Sequence, residues 1–466
     1  MESFLGEDAE IEVDSHSSDA CDICKNKKKF RLHSSLLNEF RNANVAIFAG
    51  AGISTENREV IAYSLYEDIC SVTKLNPKFS NFPDAMEIFA TQPNGRLRLV
   101  EKIKDRLDYV DSFPDLQREA TRFHKELATL YAVDTVVTTN WDTYFERFCA
   151  AQPFVIPSDF AFWGASDRKV LKVHGSIANF GTLIATRTDY NNNSAELSGG
   201  MLGSFLKTLL STKTIVFFGY SARDEDFNQI WESVRSALGP FGRQHYIVTI
   251  EEDEVELKRF RELGLIPICT DATYFLHAIK EKMQCDESHI PDDMYDEVAL
   301  LLQEASEAFD KVYEKHNIFD DPEIILCASY QDGLVDACER IVNLRPSGKY
   351  SNRERVHGVV HGYTLWMDEK LNKKKYADVA YIQGYLNAML FVTAFGKKDT
   401  WPPPIYFLFG KEQAEYFDSV EDFSKTLKTM RRSKQHHVGA LKEAIKATTK
   451  LDRKEKIFFH HKCQLM

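Results

Sequence analysis

Five short apolar runs constrain the fold of this chain more than anything else in it: 45–49 VAIFA, 135–139 TVVTT, 170–173 VLKV, 214–218 TIVFF and 245–250 HYIVTI. Each is rich in β-branched or aromatic residues, and none keeps the apolar–polar alternation of a strand with one wet face. Such runs are strands of a parallel sheet covered on both sides. Between them lie helix-period stretches such as 97–109 LRLVEKIKDRLDY and 226–237 DFNQIWESVRSA. Strand–helix alternation predicts a doubly wound α/β sheet. The segment 56–130 is long for one crossover and is broken by Pro77, Pro83, Pro93 and Pro114, so it is read as a small helical layer inserted after the first strand and its helix.

From about residue 290 the texture changes. The stretches 295–315 and 376–395 have helical period, 400–404 TWPPP is a break, and 405–409 IYFLF reads as a strand. The expected organisation is a flexible acidic arm at 1–30, an α/β domain at 31–285 and a second, mostly helical C-terminal domain at 290–466 that ends in a basic tail.

Composition excludes several classes. No apolar run reaches the ~18 residues of a membrane helix, and the polar, acidic N-terminus does not read as a secretory signal. Nine scattered cysteines argue against a disulfide framework and for a reducing cytoplasm. Cys21 and Cys24, with His33 nearby, are half of a zinc pattern that has no second pair, so no metal site is expected. The net charge is −12, yet residues 424–466 hold twelve Lys/Arg against three Asp/Glu. The rest of the chain is therefore more acidic still, which argues against broad nucleic-acid binding; the tail is read as a solvated helix face.

Polar residues gather where the strands end. VAIFA runs into Gly50-Ala51-Gly52 and Ser54. Glycines let a backbone approach a ligand closely, and a helix starting near Ser54 would aim free N–H groups at a phosphate. The dinucleotide fingerprint wants a further Gly or Ala where this chain has Thr55, so the turn alone leaves a nucleotide site and a plain strand-to-helix turn both open. TVVTTNWD ends in Thr138, Thr139, Asn140 and Asp142, at the edge where α/β sheets place ligands. For Asp142 a helix cap is the competing reading. KVHGS sets His174 beside Gly175, TIVFFGYS supplies Gly219 and Ser221, and YIVTIEED ends in Thr249 and Glu251, an acid suited to ribose hydroxyls.

GAG-x-S, T-x-N-x-D, H-G and G-x-S, in this order, resemble the sirtuin family of NAD-consuming enzymes over roughly residues 31–280. The resemblance implies a Rossmann-like sheet with a small helical module and NAD+ as substrate. It implies that Gly50, Ala51, Gly52 and Ser54 line the diphosphate and adjacent ribose, with Thr139 beside them. Asn140 would hold the nicotinamide ribose or an attacking water, Asp142 would bond the carboxamide, and His174 would be the catalytic base. Gly219 and Ser221 would touch the adenosine half, with Thr249 and Glu251 as further candidates.

The departures are informative. Deacylating sirtuins carry two Cys pairs for structural zinc between the His-Gly and Gly-x-Ser motifs; here no cysteine lies between Cys149 and Cys269, so no zinc is expected. After GAGIST the chain reads ENREVIAY, without the proline or Asp-Phe-Arg of those enzymes. In these changes the chain resembles bacterial sirtuin-like proteins of antiviral systems. The expectation is an NAD+ glycohydrolase that releases nicotinamide and ADP-ribose, the NAD-depleting effector of an antiphage, abortive-infection system, held inactive until triggered. A homo-oligomer is expected, with a HerA-type ATPase or a short Argonaute as candidate partners. An NAD-dependent protein deacylase and a non-catalytic NAD or ADP-ribose sensor are the alternatives.

Overall fold

The computed structural model describes residues 9–13, 29–78, 80–221, 225–250, 252–398 and 400–449. The chain divides into two units, Met1–Met283 with Pro346–Gly348, and Gln284–Arg345 with Lys349–Met466.

The first unit opens with β1 (Glu10–Val13) and β2 (Phe30–His33), an antiparallel pair in which Val13 lies opposite Phe30. Part of the stretch expected as a flexible arm is thus a strand: the polar–apolar alternation of EIEV buries Val13 in the same core as Phe30. Cys21 and Cys24 lie outside the described residues. Next come α1 (Ser34–Arg41) and β3 (Val45–Ala49). The inserted layer follows as α2 (Leu65–Thr73), α3 (Phe82–Ala90), α4 (Gly95–Ser112) and α5 (Pro114–Ala128). Its first three helices share a small core of their own around Ile69, Met86, Phe89 and Ile103.

The remainder of the unit is β4 (Val133–Thr138), α6 (Tyr144–Cys149), β5 (Gln152–Phe154), β6 (Lys169–Lys172), α7 (Arg187–Gly199), α8 (Met201–Thr212), β7 (Thr214–Phe218), α9 (Glu225–Leu238), β8 (His245–Thr249), α10 (Glu254–Glu262), β9 (Leu265–Cys269) and α11 (Ala272–Cys285). Seven of these strands form one parallel sheet in the order β5-β6-β4-β3-β7-β8-β9. All five expected strands are in it. The short β5 and the proline-bearing β9 are additions that apolar runs did not reveal.

β3 explains why its sequence does not alternate. Val45, Ile47 and Ala49 enter one buried layer with Phe40, Val136 and Phe275, while Ala46 and Phe48 enter the other with Leu171, Phe217 and Trp231. Both faces are dry, so both sets must be apolar. The chain leaves β3 toward β4 on one side and returns to its other side as β7. That reversal opens a crevice beyond the carboxyl ends of β3, β4 and β7.

The second unit is built on α12 (Met294–Lys315), α13 (Ile324–Asn343), α14 (Arg353–Asn372) and α15 (Tyr376–Ala394), followed by the hairpin β10 (Tyr406–Phe409) and β11 (Ala414–Phe417) and by α16 (Val420–Ser433) and α17 (Val438–Thr448). Its core gathers Tyr295, Leu334, Tyr385, Met389 and Phe407. Part of the basic tail is used internally: Arg431 pairs with Asp321 and, at 2.8 Å, with Glu323. Lys454 and Lys456 lie outside the described residues.

Two buried histidines in the first unit weaken it in acid. Burial lowers His124, packed against Phe145, to about 4, and lowers His245, whose Nδ1 accepts the Ile215 N–H at 3.1 Å, to about 4. The unfolded chain takes up these protons below its ordinary value near 6.5, whereas the folded chain does so only near 4. Stability is therefore expected to fall as pH drops from about 6.5 to about 4, by roughly 3 kcal/mol per histidine at ~1.36 kcal/mol per unit. Urea unfolding across this range checks it: His124→Phe should flatten the slope, and an unchanged slope would refute the assignment.

Candidate active site

The end of β3 does not run into a helix. Ala51–Ile53 is one tight 3-10 turn, and the next helix, α2, begins at Leu65 behind a Ser64 cap. The expected helix start near Ser54 is absent because Ser54 turns inward: it is fully buried, and its hydroxyl donates to Asp142 Oδ2 at 3.1 Å. A phosphate here would meet turn N–H groups rather than a helix dipole.

Two glycine turns make the floor. Gly50 N–H donates to Phe218 O at 2.9 Å and Gly52 N–H to Gly219 O at 3.1 Å. A Cβ on Gly50 would stand 2.4 Å from Gly219 O, and one on Gly219 would stand 2.5 Å from Ile53 N. Gly219 also holds a φ of +56°. No side chain fits either position, so the ends of β3 and β7 close to backbone contact.

The end of β4 supplies the polar wall. Thr138 donates to Ala49 O at 2.8 Å and accepts the Asn140 N–H at 3.0 Å, which tucks the chain over the sheet edge. Asn140 is buried, and its Nδ2 donates to Gly50 O and to Ser54 Oγ, each at 3.3 Å. With both donors spent, Oδ1 remains a buried acceptor with no partner among the described residues. Asp142 is held by the Ser54 hydroxyl and by the Tyr144 N–H at 3.1 Å, so it binds the first residue of α6 from one position before the Thr143 cap and faces the site at once. Behind it, the buried Lys172 ammonium donates to the Asp142 carbonyl and to Glu146 at 3.1 Å. Burial raises the Glu146 carboxyl against the pull of that ammonium.

His174 follows β6. It is buried, its carbonyl accepts the Ile184 N–H at 3.1 Å, and its ring packs on Tyr190 with centroids 5.0 Å apart. Gly50, Ala51, Gly52, Thr139, Asn140, Asp142, His174, Gly219 and Ser221 all line one cavity of about 600 Å³. That volume suits a cofactor-sized ligand. Ser54 lies beneath the wall and acts on it through Asn140 and Asp142. Thr249 ends β8, one strand further out, and is not among the lining residues. Glu251 lies outside the described residues.

The chain matches the SIR2-like domain over residues 134–268. Its relatives include the NAD(+) hydrolase ThsA of Cytobacillus dafuensis, 26% identical over 288 residues that cover 58% of this chain and 54% of that one. ThsA of Enterococcus faecium is 28% identical over 212 residues, 44% and 43% of the two chains. The defense-associated sirtuin 2 of Bacillus subtilis is 22% identical over 226 residues, 46% of this chain and 22% of that protein. The chain spans about half the length of the ThsA relatives it matches.

The cavity also has lining residues that motif reading missed: Thr55, Glu56, Tyr66, Phe82, Trp141 and Tyr190. Trp141 sits inside the T-x-N-x-D motif, so its place was legible there. Tyr66 and Phe82 come from the inserted helices, where no strand end marks them. Among the described residues no group of three or more His, Cys, Asp or Glu is arranged to hold a metal ion. No helix of the described residues is long and apolar enough to cross a membrane.

The glycine contact gives a direct test. Gly219→Ala should cost at least ~2 kcal/mol, since it adds both a clash and left-handed strain. Gly199→Ala, whose Cβ meets nothing within 4 Å, should stay within ~0.5 kcal/mol of wild type. Denaturant unfolding measures both; equal stabilities would contradict the packing.

Proposed function

We propose that this chain is an NAD+ glycohydrolase, cleaving the bond between nicotinamide and ribose to give nicotinamide and ADP-ribose. The observation that carries the reading is the Asn140 acceptor. A buried amide oxygen without a partner costs ~1–3 kcal/mol, and here it stands in the wall of a cavity that His174 also lines. A ribose hydroxyl or a water would satisfy it. The likeness to relatives named NAD(+) hydrolase supports the same substrate.

The chemistry asks little of such a site. The bond from C1′ to the pyridinium nitrogen breaks with its electron pair going to nitrogen, so nicotinamide leaves neutral and needs no general acid. The site must hold the ribose, stabilise positive charge at C1′ and aim a water. Asn140 Oδ1 accepts from that water or from the ribose, and the Asp142 carboxylate, which no cation pairs among the described residues, favours the cationic centre and holds the carboxamide. His174 accepts the proton that water gives up as its oxygen joins C1′. Gly50, Ala51, Gly52 and Thr139 lie along the diphosphate, and Gly219 and Ser221 along the adenosine half.

The cellular role follows from the chemistry. An unrestrained enzyme of this kind would deplete its own host, so the protein works as a cytoplasmic defence effector kept silent until infection. Homo-oligomerisation or a partner such as a HerA-type ATPase or a short Argonaute is the proposed control. In the triggered protein, His174→Ala should lower nicotinamide release by about 10²–10⁴-fold and Asn140→Ala by at least ~10²-fold, with folding intact. Chromatography of the products decides: release at the wild-type rate by either variant would refute the mechanism, and acyl-ADP-ribose in place of ADP-ribose would favour a deacylase.

A further inference from the structure

We propose that Arg106 and Glu56 form an internal clamp that shapes the cavity wall for NAD, making Arg106 a positioning residue for this site; the inference rests on the NAD reading above. The stretch after GAGIST, ENREVIAY at 56–63, departs from the sirtuin pattern, and it is built from this chain's own contacts. Glu56 lines the cavity. Its Oε1 accepts Arg106 Nε at 2.9 Å, and its Oε2 accepts the Leu65 N–H at 3.1 Å, one of the free donors at the start of α2. Its own N–H donates to Ala51 O at 3.2 Å, inside the glycine turn.

Arg106, on α4, reaches three further points of the same loop. It donates to Tyr63 O at 2.6 Å and to Thr55 O at 3.4 Å, and its guanidinium lies 5.6 Å from the centre of the Tyr63 ring. One planar fork thus ties Thr55, Glu56 and Tyr63 to α4, and Glu56 carries the tie on to the first residue of α2. A lysine carries the same charge but not the fork.

The pair is a poor device for stability alone. Burial raises the Glu56 carboxyl even though the Arg106 charge pulls it down, so desolvation outweighs attraction. The pair is half-buried, with the Glu56 side chain 25% exposed, and ion pairs that pay such desolvation add little net stability. What this pair does is fix position: it holds Thr55 and Glu56 against the glycine turn, at the edge of the cavity. A loop free to swing would have to be ordered by NAD on binding, and that ordering weakens affinity.

Trypsin reads the clamp, because Arg58 stands within the loop with its side chain 65% exposed. In the full-length protein, cleavage after Arg58 is followed by mass spectrometry with and without NAD, for wild type, Arg106→Lys and Glu56→Gln. NAD is expected to slow cleavage of the wild type. Both variants should be cut about tenfold faster, need about tenfold more NAD for the same protection, and melt as cooperatively as the wild type. Wild-type cleavage rates and NAD protection in both variants would overturn the clamp. Wild-type protein that NAD never protects, alongside variants that are still cut faster, would overturn the NAD reading and leave the loop clamp standing.

Discussion

The site depends on one close approach: the turn after β3 meets the turn after β7 with nothing but backbone between them. Gly50 and Gly219 allow it, and the hydrogen bonds from Gly50 to Phe218 and from Gly52 to Gly219 hold it. A sheet that reverses direction at β3 leaves a crevice at that edge. How deep the crevice goes is decided by how closely the two turns approach. With side chains there, the strand ends would stand apart and the Asn140 amide would lose the Gly50 carbonyl that orients it.

From that contact the polar wall is built outward in steps. Gly50 O and Ser54 Oγ fix the Asn140 amide, Ser54 in turn holds Asp142, and Lys172 holds the Asp142 backbone from behind. Each is a buried polar group whose partners come from a different strand end, so the network forms only when the sheet does. On its cavity side, the buried Asn140 Oδ1 and the Trp141 indole nitrogen have no partners among the described residues. Both residues line the cavity.

Much of this was legible in the sequence, and the reason is geometric. A strand buried on both faces must be apolar throughout, so VAIFA and TIVFF announced a covered parallel sheet. Polar residues that follow such strands fall at its carboxyl edge, so nine of the twelve expected site residues line one cavity and Ser54 supports it. The sequence misled where a local signal had a second use. Ser54 reads as a helix start, yet its hydroxyl is spent on Asp142. Residues brought in by tertiary packing carried no such mark: Glu56 matters through Arg106, fifty positions away, and Tyr190 through the ring of His174. β9 was missed because its proline, at an edge strand, breaks the apolar run without breaking the strand.

Where the dinucleotide sits decides between an NAD site and any other use of this cavity. The most direct measurement is a crystal structure of the His174→Ala protein soaked with NAD. The diphosphate is expected along Gly50–Gly52, with a nicotinamide-ribose hydroxyl or an ordered water within hydrogen-bond distance of Asn140 Oδ1. NAD bound elsewhere, or a cavity that stays free of dinucleotide at saturating NAD, would contradict it.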